Sequence, residues 1–232
     1  MNSNIEGHSH HISQQFNAEL EDVKNHMLEM GGVIERQIAD AMCSLLEGDS
    51  GLAGEVLSVE DRIDSMEVSI DEECTRIIAK RQPAASDLRL VVAIAKTIAD
   101  LERIGDLGKN IARRSFQIEG NLPPKKLMRG LQHLTDVSLE QLKDGLDAYA
   151  TKDIDKANAV WERDDEIDSL YTSLFRELLT YMMEDPRNIT YCTHLLFCAK
   201  NLERIGDHVT NLAESISYMI TGNYEMAAEE AM

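Results

Sequence analysis

Two copies of the hexapeptide Leu-Glu-Arg-Ile-Gly-Asp, at Leu101–Asp106 and Leu202–Asp207, each set a Glu and an Asp four residues apart. On a helix, residues at that spacing share one face. Glu102 with Asp106, and Glu203 with Asp207, are therefore two-carboxylate units. An Asn follows four residues after each, Asn110 and Asn211, able to add a carbonyl ligand or to hold a bound water. Identity over six residues at a separation of 101 marks a duplicated structural unit. An offset of 104 aligns earlier positions, Met30 with Leu134, Gln37 with Gln141 and Asp40 with Asp144. The same offset exposes a second repeated pair, Glu60/Asp64 matched by Asp164/Asp168. Glu60 lies between Val56 and Ile63, and Asp164 between Val160 and Ile167, so both interrupt apolar stripes. Acids on a core-facing stripe are costly unless paired or bound to a cation.

Register brings the pairs together. If the segment carrying Glu60/Asp64 and the one carrying Glu102/Asp106 form an antiparallel hairpin, the midpoint between the two pairs falls at Pro83. In the second half it falls between Asp185 and Pro186. Each set of four acids then sits at one height, about 30 Å from its turn. Facing carboxylates raise one another's pKa values, and a cation relieves this. An all-oxygen, carboxylate-rich site suits Mg²⁺, Mn²⁺, Ca²⁺ or iron. Gly105 and Gly206 lie between the acids of each hexapeptide and let another helix or an ion approach the backbone. The competing reading is a solvated acidic face in which Arg103 and Arg204 neutralise their neighbours, a metal-free scaffold. A third reading is a hydrolase with a carboxylate-bridged di-metal centre, which needs an open coordination position and a general base. If the two halves are equivalent sites, Asp106→Ala and Asp207→Ala lower metal stoichiometry by similar amounts; the solvated-face reading can also hold for one half alone.

The elements that position these acids are helical. Aromatic residues are 5% of the chain and there are four prolines among 232 residues, a helix-bundle composition. A first helix over about Ser13–Glu47 carries the stripe Leu20, Val23, Met27, Met30, Ile34, Ile38, Ala41 and Leu45. A second, about Leu52–Lys80, carries Val56, Ile63, Ile70, Cys74 and Ile77, and Pro83 breaks it. A third runs from Asp87 to near Ile118. The plan repeats in about Lys125–Tyr149, Ile154–Glu184 and Ile189–Thr221, with Pro186 as the second break. The fold class is all-α: six long helices in two sequence-related three-helix bundles, each with its own core, in tandem or related by a pseudo-twofold. The domains are 13–120 and 124–223, divided by the Gly120–Pro124 punctuation, with flexible tails at 1–12 and 224–232.

The formal charge of −19 repels phosphate backbones, so nucleic acid is not an expected partner. No run of 18 apolar residues spans a membrane, and the first thirty residues show no signal-peptide pattern. Cys43, Cys74, Cys192 and Cys198 lack metal-type spacing, and the last three read as core fillers in a reducing cytoplasm. His8, His10 and His11 belong to the N-terminal tail. His208 follows Asp207 but has Leu107 as its repeat mate, so it stands outside the shared design and reads as a surface residue. No phosphate-binding glycine loop, dinucleotide fingerprint or Glu-x-x-His motif is present, and the last absence counts against a ferritin-like di-metal oxidase.

Three segments carry a resemblance to a known family. They are Arg81-Gln82-Pro83-Ala84-Ala85-Ser86-Asp87-Leu88-Arg89, Asp100-Leu101-Glu102-Arg103-Ile104-Gly105-Asp106, and Asn201-Leu202-Glu203-Arg204-Ile205-Gly206-Asp207-His208-Val209-Thr210-Asn211. From about Phe16 to Tyr218 the chain resembles the PhoU family, accessory and regulatory proteins of bacterial phosphate-specific transport. The resemblance implies two three-helix bundles with repeated Glu/Asp-x-x-x-Asp motifs, which fall here on the same eight acids. It implies iron or zinc clusters at those acids in some members and magnesium or manganese in others. It further implies no catalysis, and a cytoplasmic homodimer that reaches the membrane only through its partners. Those partners would be the transporter ATPase subunit PstB and the sensor histidine kinase PhoR. Between them such a protein would be a negative regulator, holding the phosphate regulon off when phosphate is plentiful.

Overall fold

Every residue of the first predicted stripe, from Leu20 to Leu45, is buried, and so is every residue of the second, from Val56 to Ile77. Side chains such as Met27, Met30, Ile34 and Ile38 each contribute about 1.5–3 kcal/mol on leaving water, which holds these long helices against their neighbours. The structure, a computed structural model, describes residues 3–118, 125–224 and 226. Its elements are α1 (Ser3–Glu47), α2 (Ser50–Ser58), α3 (Glu60–Arg81), α4 (Ser86–Ile118), α5 (Lys125–Thr151), α6 (Ile154–Glu162), α7 (Asp164–Glu184), a 3₁₀ turn at Pro186–Asn188, and α8 (Ile189–Thr221). The first helix thus begins at Ser3, ten residues before its expected start, and takes in most of the predicted tail. The predicted Gly120–Pro124 boundary, the side chains of His8, His10 and His11, and most of the C-terminal tail lie outside the described residues.

Two predicted helices are each broken in two. The rod expected over Leu52–Lys80 is interrupted at Val59, and the one over Ile154–Glu184 at Arg163. The two breaks are repeat mates. Neither holds Pro or Gly, and both residues keep right-handed backbone angles, so the interruption is a kink. Each break makes an acid the first residue of the next helix, Glu60 in α3 and Asp164 in α7. The turns before the broken rods also match. Asp49 and Asp153 each accept a hydrogen bond from the backbone N–H three residues on, at 3.0 Å. Just before them, Gly48 and Lys152 share a left-handed conformation, at φ 71° and 55°. Glycine adopts it freely, whereas lysine strains against its own Cβ. Lys152→Gly is expected to stabilise the protein by about 0.5–1 kcal/mol, and a loss in urea-unfolding midpoint would contradict that reading.

The two halves do not keep separate cores. One contiguous apolar cluster runs from Leu20 on α1 to Met219 on α8. The most extensive helix–helix contact is between α4 and α8. Arg89 donates to the Met219 carbonyl at 3.4 Å, Asp100 pairs with His208 at 2.9 Å, and Arg114 donates to His194 at 3.4 Å. Residue numbers rise along α4 as they fall along α8, so the helices are antiparallel. By that register, repeat mates stand at one height at Arg103–Ile104 and Arg204–Ile205. That pairing belongs to a pseudo-twofold relation between the halves, the alternative that periodicity leaves open.

Candidate cation site

The predicted register holds in both halves. Ile63 on α3 packs over Gly105 on α4, its Cδ1 lying 3.2 Å from where a Cβ on that glycine would stand. Ile167 on α7 meets Gly206 on α8 at the same 3.2 Å. The acids flanking these contacts therefore face one another across the helix pair.

In the first half, burial pushes the Glu102 carboxyl up, with Asp106, Glu67 and Asp64 adding to the effect. Glu67, one turn beyond Asp64, is itself pushed up by burial and by the charges of Asp64 and Asp71. It belongs to this cluster although the repeat does not select it, because its mate is Tyr171. Glu60 and Asp106 both accept hydrogen bonds from the ammonium of Lys109, whose side chain is only 8% exposed. Burial and the neighbouring Arg113 push that lysine's pKa down.

In the second half, the Asp164 carboxyl is pushed up to about 6, by burial first and then by the charges of Asp207, Asp168 and Glu203. Asp164 thus feels the charge of the other three predicted acids of this half. Glu203 is buried; its Oε1 accepts from Lys200, one turn earlier on α8, and its Oε2 has no protein partner. Asp64, Asp168 and Asp207 are exposed at the rim of their clusters.

Two glutamines complete the sites. Gln141 on α5 is fully buried, and its Nε2 donates to the Val160 carbonyl at 3.1 Å. That carbonyl sits at the break between α6 and α7, so the amide fills the gap that the kink opens in the helical ladder. Because a carbonyl can only accept, the amide has one orientation, and its Oε1 points the other way, with no protein partner. A Cβ on Gly206 would lie 3.3 Å from that oxygen and 3.0 Å from Asp164 Oδ1, so both oxygens converge over the bare glycine. Gln37, the mate on α1, is also buried, but neither of its polar atoms has a protein partner. A polar residue beside Ile38 on an otherwise apolar stripe, repeated at the mate position, was the signal that could have marked both.

Not every predicted residue serves these clusters. Asn211, expected as an aid to the second site, instead donates to Asp100 on α4 at 2.9 Å. His208, expected at the surface, is half-buried and pairs with the same carboxylate at 2.9 Å. The antiparallel contact of α8 with α4 turns both away from Asp207. Asn110 is half-buried.

The donors are oxygen atoms of carboxylates and amides, which suit a hard cation. Among the described residues, no three His, Cys, Asp or Glu side chains stand together as a ready ligand cage. Mg²⁺ keeps several waters and takes only one or two carboxylates. Zinc or iron clusters call for three or four protein ligands.

Comparison with known proteins places this geometry in a family. The family model described as "PhoU domain" matches the chain twice, over residues 27–115 and 131–216. The phosphate-specific transport system accessory protein PhoU homolog of Rhizobium meliloti (strain 1021) is 55% identical over 212 residues, covering 91% of this chain and 90% of that protein. The phosphate-specific transport system accessory protein PhoU of Escherichia coli (strain K12) is 46% identical over 212 residues, 91% of this chain and 88% of that one. The crystal structure of PhoU from Pseudomonas aeruginosa superposes with a TM-score of 0.85 at 47% identity, covering 90% of this chain and all of that one.

Proposed function

The chain belongs to the PhoU family, and from that premise we propose that it is a non-enzymatic accessory protein of phosphate-specific transport that uses its acid clusters as cation sites. In this reading it works in the cytoplasm as a negative regulator of the phosphate regulon, as a homodimer that links the transporter ATPase PstB to the sensor kinase PhoR. Its relatives are named as accessory proteins of that transport system, which supports the coarser role. Among the described residues, no helix is long and apolar enough to cross a membrane; in this reading, contact with the membrane comes through partners.

The observation that carries the cation reading is the coupling of Asp164 on α7 to Glu203 and Asp207 on α8, beside two buried oxygens that have no protein partner. A bound Mg²⁺ or Mn²⁺ would supply positive charge between α7 and α8, where Lys200 bonds Glu203 but not Asp164. The residues that would hold it are Asp164, Asp168, Glu203 and Asp207 in the second half; Glu60, Asp64, Glu102 and Asp106 form the matching cluster in the first. Each set joins two helices of one half, so a filled site would fix the angle between them. It would also alter the acidic rim offered to a basic partner surface.

The test is a phosphate-regulon reporter in a bacterium lacking its own PhoU, grown in abundant phosphate. The chain is expected to restore repression and to co-purify with PstB and PhoR. A variant with all eight acids changed to their amides is expected to fold but not to repress. Full repression by that variant would remove the cation clusters from the function; no repression by the parent chain would remove the regulatory role.

A further inference from the structure

The repeat would make the two clusters alike, but one residue separates them. Lys109 places its ammonium between Glu60 on α3 and Asp106 on α4, almost out of contact with solvent. That is the bridging position an external cation would need. Its repeat mate is Thr210, which has no charge to offer and whose hydroxyl bonds the Asp207 backbone carbonyl at 2.7 Å. The second half has its own nearby lysine, Lys200, but it does not bridge. It bonds Glu203, one turn away on the same helix, and lies over the Tyr171 ring on α7 at 5.3 Å from its centroid, and its side chain is 45% exposed. The acids on α7 receive no ammonium from it.

The amides differ in the same direction. Gln141 is anchored through Nε2 to the Val160 carbonyl, so its Oε1 is held in place beside Asp164 over Gly206. Gln37 has no such anchor. A fully buried amide oxygen without a donor is an expense that a cation-held water would relieve.

We infer that the two halves have divided the work: Lys109 is a built-in counter-ion that closes the first cluster, and an external divalent cation enters only the second. There Gln141 Oε1 accepts a hydrogen bond from a water on that cation. The inference rests on the cation reading above and deepens it. It assigns the first half a fixed, metal-independent link between α3 and α4, and the second half the link that responds to ions.

The test is Mn²⁺ binding to the full chain, followed by calorimetry and by the loss of the free-ion paramagnetic resonance signal. The parent is expected to show one tight class per chain. Lys109→Thr, which reproduces the residue of the second half, is expected to add a second class, while Lys109→Arg, which keeps the charge, is expected to add none. Asp207→Asn is expected to abolish the tight class and Asp106→Asn to leave it intact. Gln141→Leu is expected to weaken it about tenfold and Gln37→Leu to leave it unchanged. Far-UV circular dichroism of each variant separates loss of fold from loss of binding. Two equal classes in the parent, or equal losses in Asp106→Asn and Asp207→Asn, overturn the division between halves and leave the cation reading standing. A folded parent that takes up no Mn²⁺ at all, with Lys109→Thr equally inert, overturns both.

Discussion

Asp164→Asn is expected to make the cation-free protein more stable at pH 8 while denying it the stabilisation that Mn²⁺ gives the parent. The Asp164 carboxyl is pushed from an ordinary 3.8 to about 6 in the fold, by burial and then by Asp207, Asp168 and Glu203. A group whose pKa rises on folding lends stability when protonated. That contribution is complete below about 3.8 and is lost as the pH climbs through about 6. At pH 8 the ionised carboxylate therefore opposes folding, even though it sits at the N-terminus of α7, where the helix dipole favours it. Because Asp164 is partly exposed, solvent screening reduces the effect to about 1 kcal/mol, or about 2–4 °C in Tm for a chain of this size. The asparagine variant should match the parent near pH 4 and exceed it at pH 8. Adding Mn²⁺ at about a hundred times Kd should raise the parent by about 2.7 kcal/mol, a stabilisation the variant lacks because a ligand is gone. Thermal melts at the two pH values, in Mn²⁺ and in chelator, read both arms. A variant that melts below the parent at pH 8 in chelator, or that keeps the full Mn²⁺ shift, contradicts the account.

Tyr149→Ala should be the most damaging single change, at about 3–5 kcal/mol, a fall of about 10 °C in Tm. Tyr149 on α5 is the largest of the fully buried side chains and enters the core shared by the halves, against Thr97 on α4 and near Cys74 on α3. Truncation would open a cavity where the two repeats meet, which neither half can collapse to fill alone. Tyr149→Phe should behave in the opposite way. The hydroxyl is close to Thr97, yet neither Tyr149 OH nor Thr97 Oγ1 has a partner at hydrogen-bond geometry. Burial drives the phenol's pKa far above its usual value. Removing an unpaired buried hydroxyl costs nothing and should gain up to about 1 kcal/mol. Urea unfolding of the two variants decides the matter: a loss above about 1 kcal/mol for phenylalanine would show that the hydroxyl does bond Thr97 in solution.

The acids and their register were legible in the chain because they are local and periodic. An i, i+4 spacing determines a shared helix face, and the apolar stripes Leu20–Leu45 and Val56–Ile77 determine which face is buried. A short proline-marked turn then forces Glu60/Asp64 and Glu102/Asp106 to one height by counting alone. Matched turns, such as those capped by Asp49 and Asp153, follow from the same duplication. What lay beyond the sequence depends on contacts between residues far apart. The kink at Arg163 carries no breaker residue of its own; a glutamine on another helix fills the opened ladder at Val160. Lys109 looks like one more helical lysine until α3 packs beside α4 and brings Glu60 within its reach. Asn211 and His208 turn to Asp100 only because α8 runs antiparallel along α4. Spacing along one helix decides which side chains share a face, but only packing decides what that face meets, and here packing set Lys109 between two acids of one cluster and no lysine at the matching place in the other.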